Sequence, residues 1–450
     1  MIGVLTRNRE FRKLWLAQLI SGIGDWLNRV ALLGLIARFG SGDGVAAATA
    51  GLGALYAGEL VARFLPDAFV GPFSGPVADR FSRKALMVLS DLANAVLALG
   101  YLLIRDEAAA AWIYPLIVAQ MVVSMFFHSA RQAAVTSVVP RGELHDALAI
   151  TSLTWSVVLS IGAVLGGVLT SKLGSDAVFV IDSVTYVASA VLIGMTLLPP
   201  MPAHADAFSW RHVLLFTDLR RGFQHVRERK LLPALATKVL WGGCGGFMTM
   251  LSVVAVVRFA GKDGGATAMG LLFGARGLGT GLGPVLAKRL FGSTEAALRK
   301  QISASFVLAA VGYAFFAEAG SLYLACAFVA LAHLGGSTLW TASSVWLQRT
   351  VDDAFRGRAF ALDFFGMTIA FSAGAVIAGR IFDSTHSIEL AVWSTCILVL
   401  VCGGVWTWLA RPRPERAPQA AAPVDADAMR AFPPVSALES GATESRDLEA

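Results

Sequence analysis

Charged side chains fall inside runs of apolar residues, among them Asp25, Arg29, Glu59, Arg63, Asp182 and Arg276. Charge at bilayer depth is costly, and such residues mark a pathway, a relay or an internal pair. Asp25 and Arg29 are spaced i,i+4, and Glu59 and Arg63 repeat that spacing, so each carboxylate can meet its own cation on one helix face. A carboxylate held by a cation stays charged until a substrate or a movement removes the partner, and then it can take a proton. That is the minimum machinery for proton-coupled exchange. The same spacing also suits two static pairs that lock helices together. Of the two carboxylates Asp25 is the better coupling candidate, being deeper in its span with no alternative route to the interface. Asp182 and Arg276 are expected on cavity walls, with Asp182 close enough to the end of its run to meet water there.

Other polar residues invite plainer readings. Arg131 lies near the cytoplasmic end of its apolar run, where snorkelling is easy, so structural anchoring is expected. His128 and His333 titrate near neutral pH in water, but a lone histidine on a helix is usually just hydrogen-bonded. Trp26, Trp155, Trp241 and Trp340 can stack against a flat substrate, and ordinary packing explains them as well. The four cysteines, Cys244, Cys326, Cys396 and Cys402, sit inside apolar runs without metal-ligand or framework spacing and read as small buried hydrophobes. No phosphate-binding Gly-Lys-Ser/Thr loop, no His-Glu-x-x-His and no Cys-x-x-Cys occurs, which disfavours an enzyme, an ATP-driven pump and a metal site, and no cofactor is expected.

The elements that must hold these residues follow from composition. The chain has 450 residues, 56% of them hydrophobic and 15% charged, against about a quarter charged in soluble domains. A soluble core of this size is also disfavoured, because single cores stop growing near roughly 250–300 residues. A bilayer removes both difficulties. The net charge of +6 does not indicate nucleic acid, because the cations lie between apolar stretches rather than along one face. Runs of roughly 20 apolar residues, enough to span a membrane, predict helices over 14–38, 47–74, 84–104, 111–136, 147–172 and 177–198, and over 233–258, 265–289, 300–318, 320–346, 357–381 and 386–410. The fold expected is therefore all-α and integral to the membrane, with twelve transmembrane helices in two six-helix pseudo-repeat bundles. The first bundle takes 1–198, a linker 199–232, the second bundle 233–410 and a disordered tail 411–450.

Internal similarity supports the two-bundle layout. Gly75-Pro76-Val77 is echoed by Gly283-Pro284-Val285, and Gly162-Ala163-Val164-Leu165-Gly166-Gly167 by Gly374-Ala375-Val376-Ile377-Ala378-Gly379, at nearly the same offset. Two similar bundles provide a seam for a midplane binding site around which they can rock. Gly162, Gly166, Gly167, Gly374 and Gly379 are expected at close helix contacts. Arg and Lys gather in alternate loops, among them Arg7 to Lys13, Arg80 to Lys84, Arg220 to Lys230 and Arg411 to Arg416, which places both termini and the linker in the cytoplasm. Within the linker, Leu219, Phe223 and Val226 recur at helical spacing between cations, as in an amphipathic helix on the membrane surface; a simple tether is the alternative. The first apolar run is too long and too interrupted by Asp25 for a signal peptide, and is read as a membrane helix.

The run Gly75-Pro76-Val77-Ala78-Asp79-Arg80-Phe81-Ser82-Arg83-Lys84 resembles the loop between helices two and three of the major facilitator superfamily, with Ser82 where the family often has a second glycine. Gly24-Asp25, Ala130-Arg131, Phe179-Val180-Ile181-Asp182 and Arg356-Gly357-Arg358 resemble bacterial exporters of the enterobactin-exporter type. The resemblance implies secondary active export of small amphipathic molecules, such as a drug, macrolide or siderophore, coupled to protons by alternating access. It also implies a monomer in the bacterial cytoplasmic (inner) membrane, contacting lipids but no nucleic acid. An importer or a lipid transporter on the same scaffold is the alternative, and outside transport a sensor or scaffold. Gly75, Asp79, Arg80, Arg83 and Lys84 then read as a conformational latch, because Asp79 can face the positive end of a helix from the other bundle in one arrangement only. A topogenic basic loop is the plainer reading. Ala287 stands where Asp79 would align in the second half, so the halves are not equivalent. The Gly162 run is similar to a fifth-helix antiporter sequence with Ala163 in place of its proline, and close packing explains it equally well.

Overall fold

A computed structural model describes residues 2–40, 51–199, 232–351 and 353–411. The linker helix expected within 199–232 and the tail 411–450 fall almost wholly outside these residues. The described chain is helical: α1 (Ile2–Arg7), α2 (Arg9–Gly40), α3 (Leu52–Ala78), α4 (Arg83–Gly100), α5 (Glu107–Ala110), α6 (Ile113–Val138) and α7 (Leu144–Gly194) in the first half. The second half supplies α8 (Leu232–Gly242), α9 (Gly245–Val257), α10 (Ala266–Phe291), α11 (Glu295–Ala317), α12 (Leu322–Thr350), α13 (Asp353–Thr385) and α14 (Ile388–Leu409). Among the described residues, nine helical stretches are long and apolar enough to cross a membrane. This is a multi-pass membrane protein.

Local sequence sets the breaks. α7 bends at Gly174, whose φ of 81° and ψ of 163° belong to a region open to glycine and hardly to any other residue. The span expected over 233–258 is interrupted after Gly242, and Cys244 precedes the next helix. The glycines there let α13 approach: a methyl on Gly242 would lie 2.5 Å from the Ala370 Cβ. The motif expected as a loop from Gly75 starts instead within α3. The helix runs on to Ala78, with the Asp79 amide donating to the Gly75 carbonyl at 3.0 Å. The turn itself is only four residues long, and Ser82 closes it by accepting from the Ala85 amide at 3.3 Å to cap α4.

Two helices absent from the nine apolar stretches, α3 and α10, carry Glu59, Arg63 and Arg276. Both lie where the halves of the chain meet: α3 packs against α13, and α10 packs against α7. Their polarity fits that place, since protein rather than lipid surrounds their charges. Aromatic contacts cross the same seam, with Phe64 4.8 Å from Phe371 and Trp26 6.0 Å from Phe273 between ring centroids.

Candidate transport and coupling site

The carboxylates and guanidiniums of the first half separate into three groups. Glu59, 1% exposed, sits between two cations. Its Oε1 lies 3.1 Å from the Arg29 Nε and accepts from the Arg63 Nε at 2.7 Å, while its Oε2 accepts from an Arg29 terminal nitrogen at 3.2 Å. The intrahelical Glu59–Arg63 contact is present as the spacing suggests. The Asp25–Arg29 contact is not: Arg29 turns across to α3, where one carboxylate offers both its oxygens. Asp25 instead accepts a hydrogen bond from the Tyr186 hydroxyl of α7, and its side chain is exposed.

Asp182 forms the third group, and here the expectation of a cavity wall or a wet helix end is overturned. The residue is 0% exposed. Its Oδ2 accepts from the Asn28 amide nitrogen at 2.6 Å. Gly24 makes this seal possible, because a methyl group there would stand 2.5 Å from the Asp182 Oδ1. Fully sealed and bonded within its own half of the chain, Asp182 ties α2 to α7 and lines no open space.

Arg276, halfway along α10, faces this assembly from the second half. Its guanidinium carbon lies 5.9 Å from the centre of the Trp26 ring, and that of Arg29 lies 5.1 Å from the same ring. Arg29 also lies 5.3 Å from the Phe273 ring. Beside Arg276, the His333 Nε2 and the Tyr313 hydroxyl share a hydrogen bond of 2.8 Å. Arg131 donates to the Gln18 Oε1 at 2.5 Å, joining α6 to α2 as an anchor would. Trp241 packs edge-on to Phe306 at 5.7 Å between ring centroids. An apolar cavity of about 620 Å³, lined by residues such as Val61, Leu65, Phe69 and Tyr114 with Arg380 on its wall, includes none of the six charged residues.

At the turn after α3, Asp79 is the C-cap residue, and Asp79 and Arg80 are exposed. Arg83 donates to the Ala133 carbonyl at 3.1 Å, fastening the turn to α6 of the same half, and Lys84 beside it is half-buried. Gly75 packs against nothing closely. The other glycines do mark near contacts. Methyl groups on Gly162 and Gly166 would meet α2, the first at 2.8 Å from the Trp26 Cβ and the second at 3.1 Å from the Leu27 Cα. Gly374 faces the break after α8, where a methyl would stand 2.5 Å from the Gly243 carbonyl oxygen. Gly167 and Gly379 lie on the seam, against Gly270 and Gly53 respectively.

Several polar features escaped the sequence reading, among them Asp91 of α4, which is buried. Lys238 and Asp363 form a buried ion pair at 2.5 Å in the second half, with the Lys238 ammonium 4.8 Å from the Trp340 ring centre. Both residues fall inside predicted apolar spans, so scanning those spans for charge finds them. Asp383, at the end of α13, accepts from the Gly53 and Ala54 amides. Nothing in its local sequence indicates that contact, which depends on tertiary packing.

The comparisons agree with this architecture. The chain is 25% identical over 234 residues to the uncharacterized MFS-type transporter YkuC of Bacillus subtilis (strain 168), an alignment covering 51% of this chain and 52% of that one. It thus spans about half the length of this relative. The solved nucleoside transporter NupG superposes with a TM-score of 0.62 at 12% identity, covering 87% of this chain and 100% of that chain. A bacterial homolog of the human lysosomal transporter Spinster, in an inward-facing and unoccupied conformation, gives 0.62 at 14% identity over 89% and 96%. At such identities the likeness concerns the fold alone. The model of the transmembrane secretion effector family matches residues 5–431, nearly the whole chain, and the protein belongs to that family of major facilitator superfamily (MFS) transporters.

Proposed function

We propose that this membrane transporter is a proton-coupled exporter of small amphipathic molecules, of the drug, macrolide or siderophore class. It works by alternating access of two six-helix bundles. On this reading the twelve spans arise from the nine apolar stretches, the bend that divides α7 at Gly174, and the two polar helices α3 and α10. The basic loops put both termini on the cytoplasmic side of a bacterial inner membrane. The observation that carries the reading is the charged assembly at the seam, where Arg29, joined through Glu59 to Arg63, faces Arg276 of the other half across Trp26, with Asp25 in reach of the Arg63 charge. The description of the matched family as a secretion effector supports outward movement.

The roles divide according to how firmly each group is held. Glu59 is clamped by two guanidiniums and serves as a structural tie between α2 and α3. Among the described residues the hydrogen-bond donor to Asp25 is a neutral hydroxyl, the Arg63 charge acts on it without a direct bond, and its side chain is exposed, so a proton can reach it and leave it. Coupling therefore falls to Asp25. The test is efflux from proteoliposomes under an imposed pH gradient, comparing wild type with Asp25→Asn on a panel of dyes, siderophores and macrolides. Gradient-dependent movement that is lost in the variant supports coupled export. Equal movement in both rejects Asp25 as the coupling group, and inward accumulation in both orientations of the gradient rejects export.

A further inference from the structure

We infer that Arg276 is the anchor for an anionic group on the transported molecule, a carboxylate or comparable oxyanion held across Trp26 from Arg29. The inference rests on the transport reading and narrows its substrate class to acids. It starts from a charge imbalance. Three guanidiniums, those of Arg29, Arg63 and Arg276, gather near two carboxylates: Glu59, and Asp25, whose charge reaches Arg63. Both Glu59 oxygens are already taken by Arg29 and Arg63. Asp25 is bonded to Tyr186, and Asp182 is sealed against Asn28, so neither is placed on Arg276. On the other side, His333 and Tyr313 satisfy each other.

Among the described residues, no carboxylate or carbonyl oxygen accepts from the Arg276 guanidinium, and its Nε is buried without a hydrogen-bond partner. What it does touch is the Trp26 ring, which it shares with the like-charged Arg29. A cation–π contact compensates only part of the cost of withdrawing a guanidinium from water. The side chain is half-buried rather than sealed, so the remaining compensation can come from something that enters. Guanidinium geometry matches a carboxylate through two parallel N–H donors. An acid entering here would neutralise Arg276, and would meet the Trp26 ring as an apolar wall. A cationic or neutral amphiphile would leave the imbalance in place.

The experiment uses matched probes, salicylate with salicylamide and 2-naphthoate with 2-naphthamide, on the full chain in detergent and in proteoliposomes. Binding is read by calorimetry and by the shift in melting temperature. The acids should bind and the amides should not. Arg276→Gln should cut acid affinity on the order of tenfold or more, the loss of a hydrogen bond to a charged group, and erase the preference for acid over amide. Should Arg276→Gln fail to fold, Arg276→Lys carries the test: it keeps the charge without the fork and should weaken acid binding several-fold. Equal binding of acids and amides, no acid binding to folded wild type, or unchanged acid affinity in both variants overturns the inference. The two readings remain separable. Acids that bind through Arg276 but never leave proteoliposomes reject export and keep the anion site; dyes exported while acids neither bind nor move do the reverse.

Discussion

Asp383 caps the first turn of a helix from the other half of the chain: its Oδ1 accepts from the Gly53 amide at 2.8 Å, and its Oδ2 from the Ala54 amide at 2.8 Å. The first amides of a helix have no intrahelical partner and carry the positive end of its dipole, so a carboxylate there satisfies both needs. The surrounding backbones are close as well, since a methyl on Gly379 would stand 2.5 Å from the Gly53 carbonyl oxygen. Asp79 ends α3 at its opposite end. Aspartates thus stand at both ends of α3, Asp383 of α13 on its first turn and its own C-cap Asp79 at the other.

Replacing Asp383 by alanine removes both bonds and the charge, a loss of about 1–2 kcal/mol by analogy with other helix caps. The arrangement seen here should become less populated by roughly tenfold, at about 1.4 kcal/mol per decade. Spin labels on the facing ends of α3 and α13 should report a new, longer distance. Asp383→Asn keeps an acceptor and should shift less. An unaltered distance distribution in the alanine variant would show that the cap does not hold the seam.

The buried Lys238–Asp363 pair gives a stability prediction. Removing one partner of such a pair leaves an uncompensated charge and typically costs about 3–5 kcal/mol, whereas replacing both with apolar groups is close to neutral. Lys238→Met should therefore lower the melting temperature sharply. Adding Asp363→Leu in the same chain should recover most of the loss. If the double variant is no more stable than the single one, the pair contributes something beyond mutual neutralisation, and its place beside Trp340 makes a transport assay the next measurement.

Glu59 and Asp25 should respond differently to loss of their charge. Glu59→Gln leaves Arg29 and Arg63 without their shared carboxylate, so expression and thermal stability should fall together. Asp25→Asn exchanges one partner of a hydroxyl for another and should leave melting nearly unchanged while gradient-driven movement stops. A strong stability loss in Asp25→Asn would move Asp25 into the structural group with Glu59.

The contrast between these carboxylates shows where sequence reading reaches its limit. The membrane character and the positions of the charged residues follow from hydropathy and helical spacing, which are local properties. Partner choice is not local. The i,i+4 spacing offered Arg29 to Asp25, yet the neighbouring helix offered it both oxygens of Glu59, and tertiary contact prevailed. Asp182 looked accessible from its distance to the helix end, but Gly24, far away in sequence, lets α2 and α7 close over it. Close contacts of the glycines could be expected from their spacing. Which half each one faces could not, because neighbouring positions on a helix point to different partners.

Gly166 and Gly167 turn that last point into a measurement. They are adjacent, but a methyl on Gly166 would press on Leu27 and Val30 of its own half, at 3.1 Å from each, whereas one on Gly167 would press on Ala266 and Gly270 of the other half, at 2.7 Å and 3.0 Å. Overpacking of this kind commonly costs about 1–3 kcal/mol. Gly166→Ala distorts a contact that exists in every arrangement of the halves, so it should lower the melting temperature without changing how often the seam is closed. Gly167→Ala distorts a contact that exists only while α7 and α10 are together, so the halves can relieve it by separating. It should leave the melting temperature comparatively unchanged and lengthen the distance between spin labels on α7 and α10. Should the two variants behave alike in both assays, the α7–α10 contact would be a fixed part of the fold, and the rocking motion proposed above would have to pivot there.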